Sequence, residues 1–243
     1  MGKKPKATEF KQQSLTDAHF EKCDLSRARL VSCGLPEVSV TRCIGHGMSI
    51  TDSELCKLTG NDLNLDDARL TDVSAQRLQL KDANLSGSTL DDINLDQLKL
   101  TNASLKELSL DDIDLASFKL KNAALRASEL SDIDATGMQL NDADLTGVRL
   151  TDVNLSRAVL KDVEAPGLQL VDANLKAGKL ENVELSGVTF TNCAAREAQV
   201  SDVDFERARL TNVSLKHVII DDADITGLTI NGVRIDELLK AKD

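Results

Sequence analysis

Residues 80–100 read Leu-Lys-Asp-Ala-Asn-Leu-Ser-Gly-Ser-Thr-Leu-Asp-Asp-Ile-Asn-Leu-Asp-Gln-Leu-Lys-Leu, with leucine at 80, 85, 90, 95 and 100. The count extends outward in both directions without a slip, from Phe10 to Ile235. Of its 46 members, 40 are Leu, Ile, Val or Phe, and the others are Gly45, Gly60, Ala75, Ala135, Ala165 and Ala195. A repeat this long with no insertion decides the architecture.

Neither regular element can use a period of five by itself. On an α-helix five residues advance about 140° beyond a full turn, so the leucines would spiral over the whole surface. On an uninterrupted strand consecutive members would fall on opposite faces, because side chains alternate. The chain must therefore turn a corner every five residues. A second column supports this, since small or apolar residues such as Ala83, Ile93, Leu98, Ala103 and Ile113 lie two places before members of the series. Residues i−2 and i share a face in an extended segment. Each unit is a three-residue strand followed by a two-residue corner, and four such sides close a square coil of 20 residues.

Runs such as Ala83-Asn84-Leu85-Ser86-Gly87, Ala143-Asp144-Leu145-Thr146-Gly147 and Ala173-Asn174-Leu175 resemble the pentapeptide-repeat motif A(D/N)LXX. The resemblance covers residues 10–235 and implies an all-β fold, a right-handed quadrilateral parallel β-helix (a solenoid) with a short C-terminal capping helix. Right-handedness agrees with the preference for right-handed crossovers between parallel strands. The 46 units give about 11 coils, and so a rod of roughly 50–55 Å at about 4.8 Å per coil.

The true period is ten. Position 2 of every decade from Asp52 to Asp222 is Asp or Asn, 18 positions in all. The corner half a decade later is mixed and often glycine, as at Gly87, Gly137, Gly147, Gly167, Gly187 and Gly227. Two corner chemistries are expected to alternate, one bonding nearby backbone through a side chain and the other tolerating positive φ.

Three sections are expected: a disordered basic lead over residues 1–9, one solenoid over 10–235, and a capping helix over 236–243. Within the solenoid, residues 10–50 lack the Asp/Asn column and carry Gln12, Lys22, Ser32 and Arg42 instead. The tail starts at Asp236 with an acidic first turn and carries lysines late, at Lys240 and Lys242, which suits a short helix. Its Leu238 and Leu239 are expected to cover the open end or to make an end-to-end homodimer contact; otherwise the chain is a monomer.

Composition narrows the function. The chain has no Trp or Tyr, and its net charge is −11. Direct nucleic-acid binding needs clustered cations and usually stacking aromatics, so it is not expected. The start leads into no apolar signal region and no 18-residue apolar run occurs, so the expected compartment is the cytoplasm and no membrane partner is expected. Cys23, Cys33, Cys43 and Cys193 fall in the inward i−2 column as small fillers, while Cys56 falls at a corner. His19, His46 and His217 lie far apart in the repeat series, and no HExxH, GxSxG, CxxC or phosphate loop occurs. No catalytic residue, metal site or cofactor is expected, and the chain is not expected to be an enzyme.

The outward i−1 residues, sorted in twenties, give unlike sides. One carries Asp144, Glu164, Glu184, Asp204 and Asp224, an acidic stripe over the C-terminal half. The opposite side holds Asn94, Asp114, Asp134 and Asn154, and the remaining two carry Arg69, Arg149 and Arg209, or Lys99, Lys119 and Lys179. Carboxylates about 4.8 Å apart repel by about 0.9 kcal/mol even at the dielectric of water, so the stripe is not there for stability. Two functions follow. The first is a non-enzymatic rigid structural or protein-interaction module. The second is implied by the resemblance, because some pentapeptide-repeat proteins are acidic DNA mimics that bind DNA gyrase or topoisomerase IV and protect it from poisons.

Overall fold

Corners decide whether such a chain can close, and here every one is left-handed. A computed structural model describes residues 8–240, so the expected lead lies outside the described residues except for Thr8 and Glu9, and the last three residues of the expected cap lie outside them too. The backbone takes positive φ at both corners of each decade, for example 70° at Gly87, 52° at Asp92, 60° at Gln97 and 53° at Asn102. The expected contrast between corners is therefore corrected: both need the left-handed region. The half-decade corner is a closed turn. The Leu98 amide donates to the Leu95 carbonyl at 2.9 Å with positive φ at the third residue, the signature of a type II turn. At the other corner the chain stays in the intercoil ladder, and Asp and Asn recur there because they tolerate this conformation best among residues with a Cβ.

Stacking follows at a spacing of 20. Leu90 pairs with Leu110 and Leu110 with Leu130 in one parallel sheet, and Leu80, Leu100 and Leu120 pair likewise in the other. The sheets have 13 and 11 strands. A strand such as Thr89–Asn94 passes through the corner at Asp92, so each sheet wraps two adjacent sides of the square. Two L-shaped sheets thus enclose a solenoid of about 11 coils.

Decade positions 0, 3, 5 and 8 point inward and form one continuous core, with Leu95, Leu120, Leu170 and Leu185 at most 2% exposed. The exceptions to the fivefold series are explained by volume. Where the series places Gly45, Gly60, Ala75, Ala135 or Ala165, the inward residue three places on is Met48, Leu63, Leu78, Met138 or Leu168. A Cβ on Gly60 would meet Leu63 at 2.5 Å and Leu80 at 2.6 Å, so the glycine is the slot their side chains fill. Ala195, followed by Ala198, has no such compensation. A thin apolar gap of about 170 Å³ runs along the axis between the coils of Phe10 and Leu155.

Buried hydroxyls and thiols serve the inward backbone. The Ser128 hydroxyl donates to the Leu105 carbonyl and accepts from the Leu108 amide, both at hydrogen-bond distance. Cys33, Cys43 and Cys193 are buried, and each thiol donates to the carbonyl two residues earlier. Burial pushes the Cys43 and Cys193 thiols up, which keeps them unreactive.

The C-terminal end departs from the count. Thr229–Ile230 pairs antiparallel with Val233–Arg234 through Asn231 and Gly232, whose φ values of 47° and 82° are those of a type I′ hairpin turn. The solenoid thus stops at Ile230, and the expected helix spans Ile235–Lys240, one residue earlier than its acidic start suggested. Arg234 grips Asp236 with two donors at 2.9 and 2.6 Å, and the Gly227 amide donates to the same carboxylate at 3.1 Å. Those bonds hold the Asp236 carboxyl well below the usual carboxylate range and pin the helix to the last coil. Ile235 packs against the core there, whereas Leu238 and Leu239 are half exposed.

Candidate protein-interaction surface

The expected acidic stripe is present as a row of paired residues. Asp144, Glu164, Glu184 and Asp204 are cross-rung partners, and Asp204 bridges to Asp224. Its members are unlike in chemistry, however. Asp144, Asp204 and Asp224 each accept a hydrogen bond from the backbone amide two residues on, at 3.0, 2.6 and 2.8 Å. Asn84, Asn94, Asp114, Asp134, Asn154 and Asn174 make the same bond. These are Asx turns, and they assign the outward Asp and Asn residues a backbone-bonding task.

That reverses the expected division of labour. Where Asn stands at position 2, it bonds the stacked residue on a neighbouring coil instead of the backbone expected. Asn102 donates to Asp82, Asn122 to Asn102, Asn182 to Asp162 and Asn212 to Asn192, all between 2.7 and 2.8 Å. Only Glu164 and Glu184 in the stripe make no Asx bond. The stripe is also partly neutralised. Arg126 pairs with Asp144, while the nearby Lys161 and Lys179 pair with Glu181, outside the stripe, at 2.6 and 2.9 Å. Burial works against the Asp144 charge, but Thr146 and Arg126 outweigh it and hold the carboxyl below its usual range. Hydrogen bonds from Lys161 and Lys179 hold Glu181 down at about 2. Beside the stripe, Ala103, Ala123, Ala124 and Ala143 floor a shallow depression of about 420 Å³ rimmed by Asp142, Asp144, Asp162 and Glu164.

A denser acidic field lies on the other sheet. The two columns of position-2 residues differ: the one on this sheet carries aspartate from Asp52 through Asp72, Asp92, Asp112, Asp132 and Asp152 to Asp172, with no Asn between. Over three successive rungs, residues 89–97, 109–117 and 129–137, the chain places Asp91, Asp92, Asp96, Asp111, Asp112, Asp114, Glu129, Asp132 and Asp134 and no Lys or Arg. None of these nine carboxylates is in an ion pair among the described residues. Arg69 and Arg77 bound the patch on one side along the rod, and Arg149 and Arg157 on the other. The same coils on the opposite sheet carry Lys99, Lys106, Lys119, Lys121 and Arg126, so the middle of the rod is charged unlike across its width.

The charges are close enough to perturb one another. A hydrogen bond shared with Asp92, together with burial and repulsion from Asp92, Asp52 and Asp91, pushes the Asp72 carboxyl up. A raised folded-state pKa means the ionised row costs stability, a cost fully present at neutral pH and lost as pH falls through the raised value. Asp72→Asn keeps a residue suited to positive φ and removes that charge. It should raise the melting temperature slightly at pH 7 and leave it unchanged at pH 3, as melts at the two pH values would measure. A loss at pH 7 would mean that Asp72 is a structural acceptor.

No helix among the described residues is long and apolar enough to cross a membrane. A sequence model of the family described as pentapeptide repeats matches eight copies over residues 79–115, 119–164 and 169–207. No curated protein matches the chain in sequence. Among solved structures it is similar to HetL, a pentapeptide repeat protein involved in heterocyst differentiation regulation from the cyanobacterium Nostoc sp. strain PCC 7120. That likeness is 21% identity over 91% of each chain with a TM-score of 0.64, and it shows the fold. Trypsin-treated QnrB1, a plasmid-mediated fluoroquinolone resistance protein, aligns at 17% identity over 95% of this chain and 97% of its own, with a TM-score of 0.38. Rfr23 from the cyanobacterium Cyanothece 51142 aligns at 20% identity over 65% and 86%, with a TM-score of 0.27.

Proposed function

The chain belongs to the pentapeptide-repeat family, and we propose that it is a rigid, non-enzymatic module that docks a basic protein surface against the acidic side of its middle coils. The observation that carries this is the unpaired patch over residues 89–97, 109–117 and 129–137, nine carboxylates with no cation among them. A solenoid suits the task, because each coil is held by its neighbours and the charges keep fixed spacing with little ordering left to be lost on binding. Such a field steers a cationic partner and raises its association rate, an effect that salt screens.

One measure favours a second reading, mimicry of duplex DNA toward a type II topoisomerase such as DNA gyrase or topoisomerase IV. Nine charges over three coils of about 4.8 Å amount to one per roughly 1.6 Å of axis, against about 1.7 Å per charge for the duplex. The two readings share the patch and differ in partner.

Asp92→Asn, Asp112→Asn and Asp132→Asn together test both, since Asn already stands at position 2 in Asn102, Asn122, Asn182, Asn192 and Asn212 and folds there. A partner retained by the native chain should be released steeply by salt, and should associate about tenfold or more slowly with the triple variant. Equal retention by both proteins would sink the docking surface. In a supercoiling assay with purified gyrase, inhibition or quinolone protection by the native chain and not by the variant supports mimicry. No effect at micromolar concentration removes it.

A further inference from the structure

We propose that His46, Asp66 and Asp67 form a binding site for a divalent transition-metal ion of the zinc class. His46 and Asp66 are 20 residues apart and occupy the same corner on successive coils, with Asp67 next along the turn. The ladder fixes their stacking, because the Arg27 amide donates to the His46 carbonyl at 2.8 Å, Gly47 to Asp66 at 2.9 Å and Asp67 to Ser86 at 3.0 Å. Three donor atoms converge there. His46 Nδ1 lies 3.0 Å from Asp66 Oδ2 and 3.7 Å from Asp67 Oδ2, and all three lie within 4.8 Å of one another. Ligands of a tetrahedral zinc ion at its usual bond lengths sit roughly 3.4 Å apart, so the two distances from the imidazole bracket the required edge.

Two further observations set this corner apart. Asp66 Oδ1 is the one buried side-chain nitrogen or oxygen without a hydrogen-bond partner among the described residues. A buried carboxylate oxygen left unpaired is costly, and a cation on the same carboxylate offsets that cost. Gly87, one coil on, leaves open the space beside Asp67, since a Cβ there would come within 2.5 Å of Asp67 Oδ1. The imidazole and the two carboxylates are 45%, 30% and 63% exposed, so an ion can reach them from solvent. One imidazole nitrogen with two carboxylate oxygens suits zinc, cobalt or nickel, whereas calcium takes six or more oxygens. Three protein ligands leave the fourth position to water.

The test is titration of the full chain, freed of metal by chelation, with zinc chloride in a calorimeter and cobalt(II) chloride in a spectrophotometer. One equivalent should bind, and the cobalt spectrum should be tetrahedral with no sulfur charge-transfer band. His46→Gln and Asp66→Asn should each weaken binding at least about tenfold, comparable to or larger than the loss of an outer partner at a metal site. Asp67→Asn, at the most exposed of the three positions, should do the same with an unchanged melt in the absence of metal. Failure to bind overturns the site. Binding unchanged in all three variants overturns it too, and a charge-transfer band would place the ion on Cys23 or Cys56 instead.

Discussion

Gly60→Leu, which installs the residue the fivefold series asks for, is expected to destabilise the protein by about 1–3 kcal/mol or more, the usual cost of overpacking a filled core. The slot is already taken: a Cβ at 60 would meet the Leu63 and Leu80 methyls at 2.5 and 2.6 Å. Nothing in the backbone opposes the change, because Gly60 is not among the positive-φ residues. The destabilisation should therefore be reversed by making room. Leu63→Ala alone should cost about 2–5 kcal/mol as a cavity, yet in combination with Gly60→Leu much of both losses should return. Urea unfolding of the two single variants and the double variant measures this coupling. Losses that simply add would show that volume does not pass between positions 0 and 3 of a decade. The same exchange is expected wherever the series admits a small residue before a large one, as at Ala135 and Met138 or Ala165 and Leu168.

That compensation marks what can be read from the chain alone. The period of five is legible because a corner every five residues is its only physical use, and Leu80 through Leu100 suffice to establish it. The sites where it breaks are legible only when the second inward column is read beside the first. The C-terminal end was open to reading and is hidden by the count itself: Ile235 keeps the series while the chain has already turned at Asn231 and Gly232, a pair that favours a type I′ hairpin. Side-chain bonding was less accessible. Asp and Asn at positions 2 and 4 look alike in sequence, and only the corner geometry decides that position 4 reaches the turn amide while position 2 reaches its neighbour on the next coil.

The acidic surface was legible in part for a related reason. Sorting outward i−1 residues by twenties isolates Asp144 through Asp224, but it omits the corner residues, which project as freely. When positions 1, 2, 4 and 6 of one sheet are taken together, Asp91, Asp92 and Asp96 join Asp111, Asp112 and Asp114 in a single field. In the stripe that sorting finds, Asp144 is paired with Arg126, whereas none of the nine carboxylates on the other sheet is in an ion pair among the described residues. The patch over residues 89–97, 109–117 and 129–137 carries the unbalanced charge, and that imbalance is what a partner can use.

Leu120→Ala carries the other large expectation, because it bears on whether the rod is rigid enough to present that patch. Leu120 is 1% exposed, pairs with Leu100 and Leu140 on its neighbouring rungs, and lies on the sheet opposite the patch at the same height. Removing its side chain should cost about 2–5 kcal/mol. In a globular core that loss would lower one cooperative transition. In a solenoid each coil touches only its neighbours, so a weak central interface lets the two halves unfold with partial independence. Leu120→Ala should therefore lower both the urea midpoint and the apparent m-value, since less surface is exposed per cooperative step. Leu30→Ala, 5% exposed and near the first coil, should lower stability while leaving the main transition as steep as before. If both variants kept the native m-value, the solenoid would be cooperative over its whole length. If Leu120→Ala also slowed association with a basic partner while every carboxylate stayed in place, the binding role would rest on the spacing of the charges as well as their number.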